Sequence, residues 1–286
     1  MKRFLIFVDL DSTFLTDDKQ ISKKTIKYTR KLVKKGHILS ICSGRPRQGC
    51  MRYYNTLGVD CPLVTENGSN IYFSNPAYNK SFLIPLDDFK SFLKDIDDII
   101  VSAFTGTRST LLVQNKDKVP FWIIHEDSSL KRIDGRILDN ITEEPHLPSI
   151  ITNDYDKTIE VLKKYPSIAY RCWGQNEDGY TFELFSSLAS KGNALRYLKD
   201  YYQIDDECTI AFGDQLNDSS MIKEAFYGVC MINGVLELKK IANVITKKDN
   251  NHNGVATEIK RILKLQKAKE KAERKKNHNY HHKDYN

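Results

Sequence analysis

The chain opens with Phe4–Asp9, an unbroken apolar and β-branched run of strand length. Such a run suits a parallel strand covered on both faces, and it predicts the first central strand of a sheet. Ser22 is placed to N-cap a helix over Lys23–Lys35 that turns Ile26, Leu32 and Val33 inward, and Gly36 closes it. His37–Ser43 then reads as the next strand. Pro46 starts a second helix carrying Met51, Tyr54 and Leu57, Gly58 ends it, and Pro62–Thr65 supplies another short strand. Strand, helix, strand, helix, strand predicts a parallel sheet, with functional residues gathered at the carboxyl ends of its strands.

From about residue 83 to 187 the alternation breaks down, and Leu111–Val113, Phe121–His125, Ala169–Trp173 and Tyr180–Phe185 read as sheet segments. Regular alternation returns with a helix at Gly192–Tyr202, a strand at Cys208–Phe212, and a helix after Asn217. Short strands at Gly228–Met231 and Val244–Ile245 follow, then a last helix from Val255. The pattern predicts an α/β protein with a Rossmann-like parallel-sheet core, residues 1–82 plus 188–265, interrupted by a smaller α/β domain over 83–187. Residues 266–286 are rich in Lys, Ala and Glu and then polar, and are expected to be a basic helical extension fraying into a disordered tail.

Composition changes this picture little. With 40% apolar and 28% charged residues the chain can bury a real core. No stretch approaches the roughly 20 apolar residues of a membrane span. Six scattered cysteines without a CxxC pair suit reduced thiols in a cytoplasm and carry no predicted chemistry. Of the formal net charge of +7, residues 261–286 hold nine Lys/Arg against three Asp/Glu, or +6. A nucleic-acid surface spread over the whole protein is therefore not expected, although the tail suits weak, salt-sensitive contacts with polyanions.

The chemistry gathers at strand ends. Asp9-Leu10-Asp11-Ser12-Thr13 puts two carboxylates close together where a parallel sheet opens to solvent, and a hard cation such as Mg²⁺ would hold both ionised. Gly213-Asp214-Gln215-Leu216-Asn217-Asp218 follows another strand, so Asp214 and Asp218 are placed to meet Asp9 and Asp11, with Asn217 capping the next helix. Lys191 begins a helix and is a point charge suited to balancing a carboxylate and a phosphoryl group. Ser43-Gly44-Arg45 offers a hydroxyl and backbone N–H groups at a helix start, a natural phosphate cradle.

In this order these residues resemble the four motifs of the haloacid dehalogenase-like superfamily: Asp9–Thr13 the DxDxT motif, Ser43 the second, Lys191 the third, and Gly213–Asp218 the GDxxND motif. Ile41–Arg45, Thr65-Glu66-Asn67-Gly68, Ser190-Lys191-Gly192 and Gly254-Val255-Ala256 are similar to its Cof-like sugar-phosphatase branch, whose members carry an α/β cap of the C2, type IIB kind between the second and third motifs. The resemblance covers residues 1 to about 265. It implies a phosphatase acting on a small phosphorylated metabolite, with substrate selection in the cap. Asp9 would be the nucleophile, Asp11 the general acid and base, and Thr13 an orienting group. Ser43, with Gly44 and Arg45 beside it, and Lys191 would bind the phosphoryl group. Mg²⁺ would be held by Asp9, the Asp11 carbonyl and Asp214, with Asn217 and Asp218 around it. Ser12 departs from the glycine usual at its position.

Three other readings compete. A receiver domain also phosphorylates an aspartate at a strand end, but it needs neither Asp11 nor an insertion. A non-catalytic polyanion-binding protein would not require both Asp9 and Asp11. A phosphomutase would use the same nucleophile and return the phosphoryl group to a sugar.

Overall fold

The computed structural model describes residues 2–118 and 130–281. The chain divides into two compact units, Met1–Lys80 with Ser190–Asn286, and Ser81–Ala189. The predicted strand at Phe121–His125 lies outside the described residues.

In the first unit the apolar runs become β1 (Leu5–Val8), β2 (Ile38–Cys42) and β3 (Leu63–Thr65), the first two buried at every position. Two short strands follow, β4 (Asn70–Tyr72) and β5 (Lys80–Ser81). After the second unit the same sheet takes up β12 (Thr209–Gly213), β13 (Tyr227–Cys230) and β14 (Val244–Ile245), in the order β14-β13-β12-β1-β2-β3-β4-β5. Strand β1 is central, pairing in parallel with β12 on one side and β2 on the other. Only parallel pairing joins β14 through β3, and β4 turns back antiparallel.

Helix α1 (Lys23–Lys34) is capped by Ser22, whose hydroxyl accepts from the Thr25 N–H. It buries Thr25, Thr29 and Leu32, whereas Ile26 and Val33 are only half-buried. In α2 (Arg47–Leu57) Cys50, Tyr53 and Leu57 go inside while Met51 and Tyr54 are half-buried, and Gly58 ends the helix at φ 56°. Both shifts have one cause. Reading inward faces from apolarity passes over the small, less apolar threonines and the cysteine that close packing against a sheet selects.

The second unit is a six-stranded sheet ordered β10-β11-β9-β6-β7-β8, formed by β6 (Ile100–Gly106), β7 (Thr110–Gln114), β8 (Lys131–Asp134), β9 (His146–Thr152), β10 (Ile168–Asn176) and β11 (Gly179–Ser186). All its pairings are antiparallel except β7 with β8. Helices α3 (Leu86–Asp95), α4 (Ile137–Asn140) and α5 (Tyr155–Leu162) complete a core centred on Phe89, Phe92, Ile150, Phe182 and Leu184.

The remaining helices belong to the first unit: α6 (Lys191–Tyr201), α7 (Ser219–Glu224), α8 (Leu236–Ile241) and α9 (Gly254–His281). Helix α9 runs on from the core through residues 266–281. Its Lys, Ala, Glu, Gln and Leu residues are strong helix formers, and Gln266 is buried. All six cysteines are free thiols, five of them buried. No helix among the described residues is long and apolar enough to cross a membrane.

Candidate active site

Asp9 leaves the end of β1 with its N–H donating to the Phe212 carbonyl (3.0 Å), which ties it to β12. Lys191, the first residue of α6, is fully buried and reaches back to it. Its Nζ lies 2.6 Å from Asp9 Oδ1 and 2.6 Å from Asp218 Oδ1. Burial alone would lower the lysine, but Asp9 and Asp218 outweigh it and hold the ammonium above its ordinary range.

Asp218 is consumed by architecture. Its second oxygen accepts from the Asp214 and Gln215 N–H groups (2.9 and 3.0 Å), closing the turn after β12. A Cβ at Gly213 would lie 2.5 Å or less from the Asp218 side chain, so only glycine permits that turn. Asn217, expected to cap α7, instead donates its amide to Asn67 Oδ1 (3.0 Å), while Gln215 and Asp218 cap the single turn Leu216–Asp218 that leads into α7. Thr13 donates its hydroxyl to Asp214 Oδ1 at 2.8 Å.

Asp9, Asp214 and Asp218 each offer an oxygen within 4.8 Å of the others, all three buried. Three carboxylates against one ammonium leave two negative charges in a nearly dry space. Burial first, then the neighbouring carboxylates, push Asp9 up to about 7, with Lys191 opposing. Burial likewise pushes Asp214 up to about 6. This all-oxygen donor set and its charge deficit fit a hard divalent cation, which would hold the carboxylates ionised.

Asp11, two residues on, lies outside that cluster. Its side chain is 38% exposed and is gripped by Arg45, with Nε 2.7 Å from Oδ2 and a terminal nitrogen 2.7 Å from Oδ1, and by Lys19 Nζ at 2.8 Å. The hydrogen bonds from Arg45 hold its carboxyl down at about 2, with Lys19 assisting. Thus Arg45, grouped with the phosphate cradle in the sequence, holds an aspartate here. Ser12, the residue after Asp11, has φ 56°, the left-handed region that glycine occupies freely, and its carbonyl accepts from the Asn233 amide (2.8 Å).

Ser43 and Gly44 follow β2 beside this group. The Ser43 carbonyl accepts from the Asn67 N–H (3.0 Å), its buried hydroxyl from the Arg45 N–H (3.2 Å), and Gly44 lies against the Asn67 side chain. Glu66 and Asn67 have φ near 50–55°, and Gly68, at φ 102°, brings its backbone so close to Ser190 that a Cβ would lie 2.2 Å from the Ser190 carbonyl oxygen. That contact sets the loop after β3 against the start of α6, which carries Lys191. Asn67, Asn233 and Lys19 are the site residues that no role was read for in the sequence. Asn67 had a signal in the Glu-Asn-Gly run, whereas Lys19 is one of 44 basic residues with nothing to mark it.

A family model described as haloacid dehalogenase-like hydrolase matches residues 6–259. The chain belongs to that family. It is 29% identical to the 5-amino-6-(5-phospho-D-ribitylamino)uracil phosphatase YitU of Bacillus subtilis over 92% of this chain and 99% of that one. It is 26% identical to the phosphoglycolate phosphatase of Methanopyrus kandleri, over 91% and 97%. Among solved structures, the HAD subclass IIB sugar phosphatase BT4131 shares the fold with a TM-score of 0.62 at 18% identity, over 90% of this chain and 98% of that one. This haloacid dehalogenase-like chain is thus an enzyme, a phosphoric monoester hydrolase.

Proposed function

We propose that the enzyme cleaves a small phosphorylated metabolite through an aspartyl-phosphate on Asp9, with Mg²⁺ as its cation. The observation that carries this reading is the pairing of Asp9 Oδ1 with a buried lysine at 2.6 Å, beside two more buried carboxylates. Lys191 fixes the carboxylate by one oxygen, which assigns Oδ2 as the nucleophile. Attack on phosphorus forms the Asp9 O–P bond and breaks the bond to the leaving alkoxide, which takes a proton from Asp11. Asp11 then accepts a proton from water as that water attacks phosphorus, releasing inorganic phosphate and restoring Asp9.

Arg45 and Lys19 keep Asp11 ionised, which suits the water-activating half of the cycle. Proton donation in the first half requires that an incoming phosphoryl dianion draw one of these cations away from Asp11. Asp9, Asp214 and the Asp11 carbonyl would hold Mg²⁺, with Asp218 bracing the turn and Asn217 joined to Asn67. When bound, the cation would supply positive charge against the phosphoryl oxygens. Ser43, the Gly44 backbone and Lys191 are assigned to the same oxygens.

Relatives that act on a ribitylamino-uracil phosphate and on phosphoglycolate share this much sequence, so similarity leaves the leaving group open. We assign its selection to the inserted unit Ser81–Ala189. The free, mostly buried thiols suit a reducing compartment such as the cytoplasm. Phosphate release from p-nitrophenyl phosphate and a panel of metabolite phosphates, with and without Mg²⁺, tests the reading. Metal-dependent turnover by the wild type, reduced by about 10³-fold or more in Asp9→Asn, is expected. Undiminished turnover by that variant would remove the covalent mechanism.

A further inference from the structure

We propose that the first unit carries a second binding surface, made by α1 and an aromatic platform beyond its C-terminus, that takes single-stranded nucleic acid without sequence preference. Between residues 22 and 35 the chain places seven cations and no anion: Lys23, Lys24, Lys27, Arg30, Lys31, Lys34 and Lys35. All seven are exposed. Lys23, Lys27, Lys31 and Lys34 fall on one stripe of the helix, and with Ile26, Arg30 and Thr56 they line a groove of about 640 Å³ that no carboxylate enters.

Among the described residues none of these four lysines forms an ion pair, whereas Arg30 is spent on the Leu57 and Thr56 carbonyls (2.7 and 3.1 Å). Four cations left without a counter-charge, about 6 Å apart per helical turn and a little more, match the repeat of a phosphate backbone laid along the helix.

The stripe does not end at Lys34. Arg3 Nε donates to the Gly36 carbonyl (2.9 Å), just past α1, and the same guanidinium sits 5.4 Å from the centre of the Tyr202 ring. Tyr202 meets Tyr201 edge-on at 4.9 Å. Tyr201 in turn packs with Phe73 at 4.8 Å and with Tyr78 and Tyr197 at 6.3 Å. Tyr78 is 54% and Tyr201 42% exposed. The acids beside this platform are Asp60, engaged by Ser74, and Asp200 on α6.

A cationic groove linked past the end of its helix, through Arg3, to exposed rings is a combination that holds single strands, the phosphates by charge and the bases by stacking. In a duplex the bases are already stacked on one another. The exposed rings are tyrosines, whose hydroxyls suit a solvated base better than acyl chains.

Fluorescence anisotropy of a short labelled oligo(U), titrated with the full chain at several salt concentrations, tests this. The wild type is expected to bind with a log–log salt slope of about −3, the value for four phosphates on a single strand. Combined Lys23→Glu, Lys27→Glu, Lys31→Glu and Lys34→Glu should weaken binding at least about tenfold and flatten the slope. Tyr78→Ala with Tyr201→Ala should weaken it about fivefold or more with the slope unchanged. Far-UV circular dichroism and p-nitrophenyl phosphate turnover are expected to stay at wild-type levels in both variants. The proposal is overturned by absence of binding, or by loss only when Lys267, Lys269 and Lys271 of α9 are reversed instead. Equal affinity for inorganic polyphosphate with no effect of the tyrosine pair, or a preference for phosphatidylserine vesicles, would overturn it too.

Discussion

Asp9 and Asp11 are separated by one leucine, yet they occupy opposite electrostatic regimes. Asp9 shares one buried ammonium with another carboxylate, and burial drives its pKa up to about 7. Asp11 sits half in solvent between a guanidinium and an ammonium, and their hydrogen bonds drive it down to about 2. The chain leaves β1 at Asp9 with extended backbone and turns at once from Leu10, with Asp11 extended within that turn, so the two side chains reach these different places. Two carboxylates whose environments move them apart are equipped for two tasks, which is the division proposed above, the dry one as nucleophile and cation ligand and the wet one as proton carrier.

The largest effect that can break this division is on turnover. Asp11→Asn keeps shape but cannot exchange a proton, and a loss of about 10²–10⁴-fold in kcat is expected. Quench-flow should show how the loss divides between phosphorylation and hydrolysis of the intermediate. A rate within a few-fold of wild type would mean that Asp11 is not the proton carrier.

Next comes the ammonium that separates the two regimes. Lys191→Met leaves Asp9 and Asp218 buried without a counter-charge, at a cost on the order of 3–5 kcal/mol of stability near neutral pH. Because Asp9 can take up a proton, the deficit in urea denaturation should shrink toward pH ~5. A deficit independent of pH would point to lost packing instead.

A smaller effect follows from the raised groups. With folded-state values of about 7 for Asp9 and about 6 for Asp214, against 3.8 unperturbed, the stability they contribute to the metal-free fold is present below about 4 and is lost as pH climbs through about 7. A cation stabilises the ionised forms, so the rise in Tm caused by Mg²⁺ should be slight near pH ~5 and grow toward pH ~8. Differential scanning calorimetry at fixed ionic strength reads this directly, and a constant increment would place the cation elsewhere.

The smallest expected change is at the turn just after the second aspartate. Ser12 bears a left-handed backbone without glycine's freedom, so Ser12→Gly should stabilise the fold by about 1 kcal/mol or less, part of the gain being offset in the unfolded chain. Destabilisation in urea would show that the serine side chain matters more than its backbone.

The parallel core was legible because β1, β2 and β12 are buried on both faces, so their residues are apolar in unbroken runs. Asp9, Thr13, Ser43, Lys191, Asp214 and Asp218 were legible because strand ends and helix starts concentrate functional side chains, and their spacing matched known motifs. Lys19 and Asn233 were not, since each reaches the site from a surface loop with no pattern around it. Arg45 was visible but its grip on Asp11 was not, because a backbone position near a helix start says nothing about where a long guanidinium stem will point. The charge on α1 was obscured by averaging, since acids elsewhere in the chain nearly cancel its seven cations.

The sequence by itself therefore determined the alternating architecture and the chemical types gathered at one edge of the sheet, because burial periodicity and turn chemistry are local. Only the tertiary structure decided which charges meet. The pairing of Lys191 with Asp9 across 182 positions, and of Arg45 with Asp11 across 34, depends on strand order and on the loops around the site. Those contacts, more than the motifs, set Asp9 and Asp11 apart, because a carboxylate's behaviour follows from its desolvation and its neighbours and not from its place in the chain.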